Sequence, residues 1–563
     1  MKLARLGLYI DEDLSKRYWS YGQNVFATYL KDILGRLRIP YEMVTSGEHL
    51  DSGQFDIIIA AFVPDTKAVG EKILDFVKKG GAVLSLANLD QLAPYFGFRK
   101  GETLGAGYAS YDQEKYKKLR YLKAKPWHSA AGENTAEKQT GSLLNSQAPL
   151  FQQFPLEKGI FSRCTVDIAE TVVRLQQGGQ PLFHDGTPAP DGTAEINDYV
   201  LKVDDMCEMD WEHDRQRTET NQPYFAYPYA DLWKEVFVHY LVELSLAKEL
   251  TLPFVWYWPE GVKGVAVISH DSDYNEDEHA YTTLRLLKEA GVRSTWCMMV
   301  PGYSQDVYQR VKADGHELAF HYNAVDVDDG FWGEEEFKQQ FSRMQKDLPG
   351  VEIVSNKNHL TRYEGWGELF EWCEQCGIKS DQTVGPSKKG NLGFTFGTCH
   401  PYFPIAWGTD HNRFYDVVEL PFLTPDINTG KWGDTSIIVP FLETVKNVDG
   451  VAHFLFHQIH LHRNEKVREA FFKVVEEMKK RQFEFWTGNE VNKWERLKRS
   501  ITITSVTDGQ VEFDADGTIH DFIVYIPLHH DNEAQYSETE VVFGIPCIKA
   551  VCHKDVKKHE LSS

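Results

Sequence analysis

The sequence predicts a multidomain α/β protein: a doubly wound layer at the start, a run of about seven strand-helix pairs in the middle, and a small β unit at the end. Three observations carry this. A β-branched apolar run, Gly264-Val-Ala-Val-Ile-Ser-His-Asp-Ser-Asp273, stops abruptly at His270, Asp271 and Asp273 and is followed by alternating helical and apolar segments. The first hundred residues repeat the same alternation, and from Ser500 onward the pattern changes to period two. Runs of the first kind are buried parallel strands, whereas period two marks a half-buried antiparallel sheet. A chain of 563 residues is too long for one ordinary domain, so we divide it into residues 1–250, 251–498 and 499–563.

In chain order, Ala4 to Ile10 reads as a strand, Tyr21 to Arg36 as a helix, Tyr41 to Val44 as a short strand and Phe55 to Phe62 as a buried strand. Lys67 to Lys79 reads as a helix closed by Gly80-Gly81, and Ala82 to Leu86 as the next strand. Together these predict a doubly wound, flavodoxin-like layer. The region resembles the glutamine-amidotransferase-like domains found beside bacterial carbohydrate enzymes. Catalytic members of that group carry a cysteine at the sharp turn after a central strand, but the corresponding turn here, Leu86-Ala87-Asn88-Leu89, has none. The layer is therefore expected to be noncatalytic, a structural or assembly surface through which the chain could form a homo-oligomer. Gly101 to Pro149 and Asp204 to Gln222 are polar and read as long excursions. Asp231 to Ala247 is an apolar-striped helix expected to pack back on the first layer.

Pro253 to Gly261 links to the middle region. There, Glu276 to Ala290 reads as a helix stopped by Gly291, Arg293 to Val300 as a strand, Gln305 to Ala313 as a helix and His316 to His321 as a strand. A helix near Glu334 to Lys346, a strand Val351 to Ser355, a helix Glu368 to Cys376 and a strand around Asp381 follow. Gly390 to Trp407 is aromatic and glycine-rich, suited to a loop lining a cleft. Val417 to Leu423 reads as a strand, Ser436 to Val445 as a helix, Val451 to His457 as a strand and Glu465 to Arg481 as the last helix. In such units chemistry collects at the carboxyl ends of the strands, so Asp271, Asp273 and His321 should face one another.

These residues resemble the polysaccharide deacetylases with a NodB-homology domain, carbohydrate esterases that use a bound divalent metal. Ser269-His270-Asp271-Ser272-Asp273 is similar to the first motif, with one residue inserted between its two aspartates. Gly315-His316-Glu317 and His321 match the second motif, but its further ligand position is Val325, and His359 is near enough to substitute. Asn358 to Tyr363 resembles the third motif, Gly377 to Asp381 the fourth, and Val451 to His457 the last. The resemblance covers residues 255–495. It implies a distorted (β/α)7 barrel in which a divalent metal, zinc first, is held by Asp273, His321 and His359, with Asp326 and Asp328 the next candidates for the third ligand. It further implies Asp271 as base, Arg362 orienting it, and His457 as acid, with His460 and His462 left open beside His457.

Taken singly, each of these has a plainer reading. A strand-end aspartate often caps the next helix, and only the pairing with Gly-His-Glu favours chemistry for Asp271 and Asp273. His316 reads as a structural histidine beneath the site. Cys373 and Cys376 fall at helical spacing among Leu369, Phe370 and Trp372 and read as core. Gly390 to Gly397 lacks the lysine and helix start of a phosphate loop, and His529-His530-Asp531 reads as a solvated turn.

Composition excludes whole classes. A formal net charge of −23 argues against nucleic acid or an anionic membrane as partner. No apolar run approaches the roughly 20 residues that span a bilayer, and Met1 to Asp11 lacks the apolar core of a leader. Eight scattered cysteines do not make a disulfide framework. The expectation is a cytoplasmic hydrolase that removes an acyl group, usually acetyl, from an amide or ester of a carbohydrate or related small molecule. Two other readings stand beside it: a glycosidase or allantoinase-like amidohydrolase on a related barrel, and a catalytically silent carbohydrate-binding or assembly protein.

Overall fold

Seven parallel strands curl into a half-barrel in the middle of the chain: β1 (Val265–Asp271), β2 (Thr295–Met298), β3 (Glu317–Tyr322), β4 (Ser355–Asn358), β5 (Ser380–Asp381), β6 (Val418–Glu419) and β7 (Val451–Leu455). The computed structural model describes residues 2–51, 53–130, 138–196, 199–507, 510–529 and 539–554. The expected His530 and Asp531 turn lies outside them. The strand order is β6-β5-β4-β3-β2-β1-β7, and the short strand Glu484–Phe485 also pairs with β1. The β-branched run of β1 is buried along its whole length, as a strand covered on both faces must be. Helices Asp277–Ala290, Gln305–Ala313, Glu334–Asp347 and Glu465–Lys480 turn apolar residues inward. Gly291 ends the first of these at φ +65°, a conformation glycine adopts without a Cβ penalty. Beyond β6 the chain reaches β7, where the Leu423 N–H donates to His453 O at 2.9 Å and the Leu455 N–H to Thr424 O at 3.0 Å.

Before the barrel lies a mixed sheet of nine strands. Five are parallel, in the order Glu42–Val44, Leu6–Ile10, Ile57–Phe62, Ala82–Leu86 and Gly159–Cys164. Taken in chain order this is the 2-1-3-4-5 arrangement of a flavodoxin-like layer. Two expectations change here. The single helix over Tyr21 to Arg36 is instead Glu12–Trp19 and Leu30–Arg36, joined through a 3-10 turn at Phe26–Tyr29. The polar stretch Gly101 to Pro149 is not an excursion: Gly107–Ser110, Leu119–Tyr121 and Lys138–Leu143 extend the sheet in antiparallel fashion. Ala109, Leu119, Tyr121 and Leu143 are buried, whereas Tyr108, Ser110, Lys138 and Gln139 are half-buried or exposed. Short strands with one wet face read as polar loop in sequence.

After the barrel, Ile519–Pro527, Ile545–Lys554 and Glu540–Val542 form a small antiparallel sheet. Its edge is completed by Phe254–Pro259, the segment read as a linker, which pairs with Ile519–Pro527. The helix Tyr229–Leu246 lies where these layers meet. Of its residues only Glu243 escapes burial. Phe151 stacks on Tyr240 at 3.9 Å, His239 Nδ1 lies 2.6 Å from Phe543 O, and Asp231 accepts from Thr398 Oγ1 at 2.6 Å and from the Cys399 N–H at 2.9 Å. Such an all-round buried helix belongs to a shared core. The loop Gly390 to Trp407, expected to line a cleft, is buried against this helix. Gly393, at φ +94°, runs so close to Phe225 that a Cβ would sit 2.2 Å from its carbonyl oxygen.

Phe237 is fully buried at the middle of that helix. Phe237→Ala should lower the unfolding free energy by about 3–5 kcal/mol, read as a shifted urea midpoint. An unshifted midpoint would mean that the helix does not carry a common core.

Candidate functional site

The carboxyl ends of β1, β3, β4 and β7 bring five of the expected residues together. Asp271 ends β1. Two residues on, the chain turns sharply, with Asp273 at φ +35°, and the second carboxylate folds back beside the first. His321, fully buried on β3, approaches Asp273 Oδ1 at 3.6 Å and Asp271 Oδ2 at 3.8 Å through Nε2. Its Nδ1 lies 2.9 Å from Lys357 O. A carbonyl only accepts, so Nδ1 carries the proton and the Nε2 lone pair points at the carboxylates.

His359 follows β4 in a turn whose next two residues, Leu360 and Thr361, have φ of 54° and 53°. Its Nε2 is 3.9 Å from Asp273 Oδ1, and its Nδ1 is 3.2 Å from Asn323 Oδ1. That oxygen already accepts from the backbone N–H of Val325 at 2.9 Å and Asp326 at 3.0 Å, which identifies it as an acceptor and leaves His359 Nε2 free. Burial, only partly offset by Asp273, pushes the His359 pKa down to about 4 and keeps the ring neutral. Asp326 Oδ2 lies 3.7 Å from His359 Nδ1. Asp328, the other fallback for the third ligand, instead accepts from Arg343 and from Gln340 at 3.1 Å.

His457 closes the site from the end of β7. Its Nε2 stands 3.8 Å from Asp271 Oδ2 and 3.7 Å from Asp273 Oδ2, while Nδ1 is held by Asp426 Oδ2 at 2.5 Å. Burial works against its charge, but Asp426 and Asp273 outweigh it and hold the pKa up at about 10. Burial likewise opposes the charge of Asp273, yet the His457 imidazolium beside it holds that carboxyl far below its ordinary range. Of the three histidines following β7, His457 alone points inward. His462 Nδ1 pairs with Thr282 at 2.8 Å. His460 is partly exposed and lies 4.0 Å from Asp426. Asp426, His457 and His460 also form an Asp/His/His cluster with ligand atoms within 4.8 Å of one another.

Arg362 does not orient Asp271. Its guanidinium holds Glu364 at 2.6 Å, Gly330 O at 2.6 Å and Ala324 O, because the positive-φ turn before it directs the side chain onto the loop after β3. The cation beside Asp271 is Lys357, fully buried on β4, with Nζ 3.7 Å from Asp271 Oδ1 and 4.1 Å from the centre of the Phe422 ring. Sequence reasoning missed Lys357 by ending this strand at Ser355. The signal was the run Ser355-Asn-Lys-Asn358, an all-polar strand that is nonetheless buried throughout. Asp426 was missed as well, and its loop position carries no pattern that singles it out.

Below the site, the motif residues His316 and Glu317 are structural. The Ser294 N–H donates to His316 Nδ1 at 3.1 Å, and Glu317 accepts from Thr295 Oγ1 at 2.8 Å and the Asn489 N–H at 3.0 Å.

The donor set fits a divalent cation. Asp273 Oδ1 and His321 Nε2 are buried and have no hydrogen-bond partner, as is also true of Asp271 Oδ1 and Lys357 Nζ. Buried polar atoms left so are uncommon and call for an explanation. One carboxylate and two imidazoles with free Nε2 atoms are ordinary zinc-type ligands.

Comparison with protein-family models gives no match, and no curated protein matches the chain. Among solved structures, the chain is similar to a candidate polysaccharide deacetylase from Mycobacterium smegmatis, at 15% identity over 46% of this chain and 98% of that one, with a TM-score of 0.32. It is also similar to a candidate polysaccharide deacetylase involved in O-antigen biosynthesis from Bordetella bronchiseptica, at 20% identity over 42% and 86%, with a TM-score of 0.26. A β-galactosidase from G. stearothermophilus shares 13% identity over 29% of this chain and 27% of its own, with a TM-score of 0.22. Among the described residues no helix is long and apolar enough to cross a membrane.

The Asp426–His457 pair makes a pH prediction for the metal-free protein. His457 is raised from about 6.5 unfolded to about 10 folded. Its contribution to stability is therefore complete below about pH 6.5 and is lost as pH rises through about 10. Imidazole NMR should place its titration far above neutrality, and Asp426→Asn should bring it down. A midpoint near 6.5 in the wild type would rule out the pairing.

Proposed function

We propose that this chain is a metal-dependent hydrolase that removes an acyl group, acetyl first, from an amide or ester of a carbohydrate or related small molecule. The carrying observation is the convergence of Asp271, Asp273, His321, His359 and His457 at the ends of the barrel strands, with unpartnered buried donor atoms among them. Asp273, His321 and His359 would hold the ion, and zinc suits one carboxylate and two imidazoles best. When bound, such an ion supplies Lewis acidity, polarising the acyl carbonyl and lowering the pKa of water.

The remaining work falls to the chain's own groups. Asp271, facing Lys357, takes the proton from the attacking water through its carboxylate. Lys357 is a positioning residue: its Nζ lies 3.7 Å from Asp271 Oδ1 and fixes the orientation of that carboxylate. His457, protonated on both nitrogens, gives its Nε2 proton to the departing amine or alkoxide, while Asp426 keeps Nδ1–H in place and stabilises the imidazolium. His321 and His359 are turned by Lys357 O and Asn323 Oδ1 so that neither needs to reorganise. Buried charges in fixed positions act more strongly than the same charges in water.

We further place the protein in the cytoplasm, acting on soluble substrate, because all eight cysteines are free. The first layer we read as a noncatalytic amidotransferase-like unit. The strand turn at its centre keeps strained backbone, with Ala87 at φ 48° and Leu89 at φ 59°, but no nucleophile, and Asn88 Nδ2 donates to Ala61 O at 2.7 Å. Such a layer is suited to assembly of a homo-oligomer.

Elemental analysis should find about one zinc or similar ion per chain, lost in Asp273→Ala and His359→Ala. Acetate release from N-acetylated or O-acetylated sugars should fall about 10²–10⁴-fold in Asp271→Asn and in His457→Ala. Absence of metal after reconstitution would sink this reading. For Lys357, Lys357→Met should lower kcat about tenfold or more with KM little changed, and Lys357→Arg should restore part of it. Equal rates in both would leave Lys357 a merely structural group.

A further inference from the structure

We infer a second divalent-cation site, formed by Asp426, His457 and His460, whose occupation captures His457 and removes it from proton transfer. Asp426 Oδ2 and His457 Nδ1 are 2.5 Å apart, His460 Nε2 lies 4.0 Å from the same carboxylate oxygen, and all three ligand atoms fall within 4.8 Å of one another. The two rings are inclined at 76° with centroids 5.6 Å apart, so their nitrogens approach Asp426 from different directions, as ligands around one ion must. Both histidines follow β7: the His460 N–H donates to His457 O at 3.1 Å in the first turn after the strand, and this turn keeps the two rings together. Asp426 is buried, whereas the His460 side chain is 44% exposed, giving an ion a path from solvent.

This set differs in kind from Asp273, His321 and His359. There the buried donor atoms of Asp273 and His321 lack partners; here Asp426 and His457 already satisfy each other, so an ion must displace a hydrogen bond and binds more weakly. The same His457 ring faces both sets, through Nε2 to Asp273 and through Nδ1 to Asp426. Imidazole ligates metal in its neutral form. An ion at Nδ1 therefore takes the place of the Nδ1 proton, which leaves to solvent, and the neutral ring that remains keeps its Nε2–H only as a far weaker acid than an imidazolium. The site makes metal a ligand of opposite effects: the first ion completes the proposed hydrolytic centre and a second silences its acid. The inhibitory consequence rests on the hydrolase reading, but the binding site itself does not.

The test uses the full chain stripped of metal and titrated with zinc, with bound metal counted by equilibrium dialysis. The wild type should take two ions, and His460→Asn only the tighter. Asp273→Asn should keep the weaker. His457 imidazole signals should shift with the second ion in the wild type and not in His460→Asn. Where acetate release is measurable, it should rise with the first ion and fall with the second, and the fall should be absent in His460→Asn. A single ion in the wild type, a second ion retained by His460→Asn, or an unmoved His457 signal overturns the proposal. Two ions with the expected His457 shift, but no acyl release at any loading, would uphold the second site and overturn the hydrolase reading instead.

Discussion

Two carboxylates held side by side in the protein interior set the terms for everything around them. Asp271 is 4% exposed and Asp273 stands beside it, so their mutual repulsion and lost hydration must be answered by positive charge or by polarised hydrogen. Lys357 from β4 and His457 from the end of β7 do this, while His321 from β3 and His359 from the turn after β4 bring free Nε2 atoms to the same point. Each is fixed in turn by a neutral or acidic partner behind it. The arrangement has more donor atoms than partners, and that surplus makes it a site and not a salt-bridge cluster.

Holding those groups in place draws on the rest of the chain. Segments from before the barrel cross its carboxyl face: Leu182 bridges Gly365 and Lys202 bridges Arg362. Asp204 accepts from the Ser387 N–H at 2.8 Å, Ser387 Oγ at 2.9 Å, the Lys388 N–H at 3.1 Å and Asn391 Nδ2 at 2.6 Å. Ser387 Oγ in turn accepts from Thr361 at 2.7 Å, in the strained turn that presents His359. Asp204 therefore anchors the loop behind a proposed ligand, although its own sequence surroundings look like solvated loop. The helix Tyr229–Leu246 performs the same service on a larger scale, since one continuous hydrophobic cluster runs through all the layers it touches.

Much of the site was legible because strand ends are legible. A buried β-branched run announces β1 by composition alone, and the polar residues that end it must lie at the barrel mouth, so Asp271, Asp273, His321 and His457 could be placed together without coordinates. Arg362 and Lys357 show where this fails. Lys357 lies on β4 and Arg362 follows it closely in sequence, and both are cations of suitable length. Which of them meets Asp271 depends on the positive-φ turn at Leu360 and Thr361, which sends Arg362 to the carbonyl oxygens of Ala324 and Gly330 and leaves Lys357 inside.

The sequence by itself determined the alternation of buried strands and amphipathic helices, the flavodoxin-like first layer, the period-two final sheet and the acidic, histidine-rich strand ends. These follow from periodicity, which is local and is written residue by residue. Tertiary structure alone decided that Asp426 backs His457, that Asp328 turns to Arg343, and that a polar stretch such as Gly101 to Pro149 joins a sheet. It also decided that a linker, Phe254–Pro259, becomes the edge of the last sheet. Those outcomes depend on which surfaces meet after the chain has closed on itself, and on burial and charge compensation among residues hundreds of positions apart, which no local pattern records.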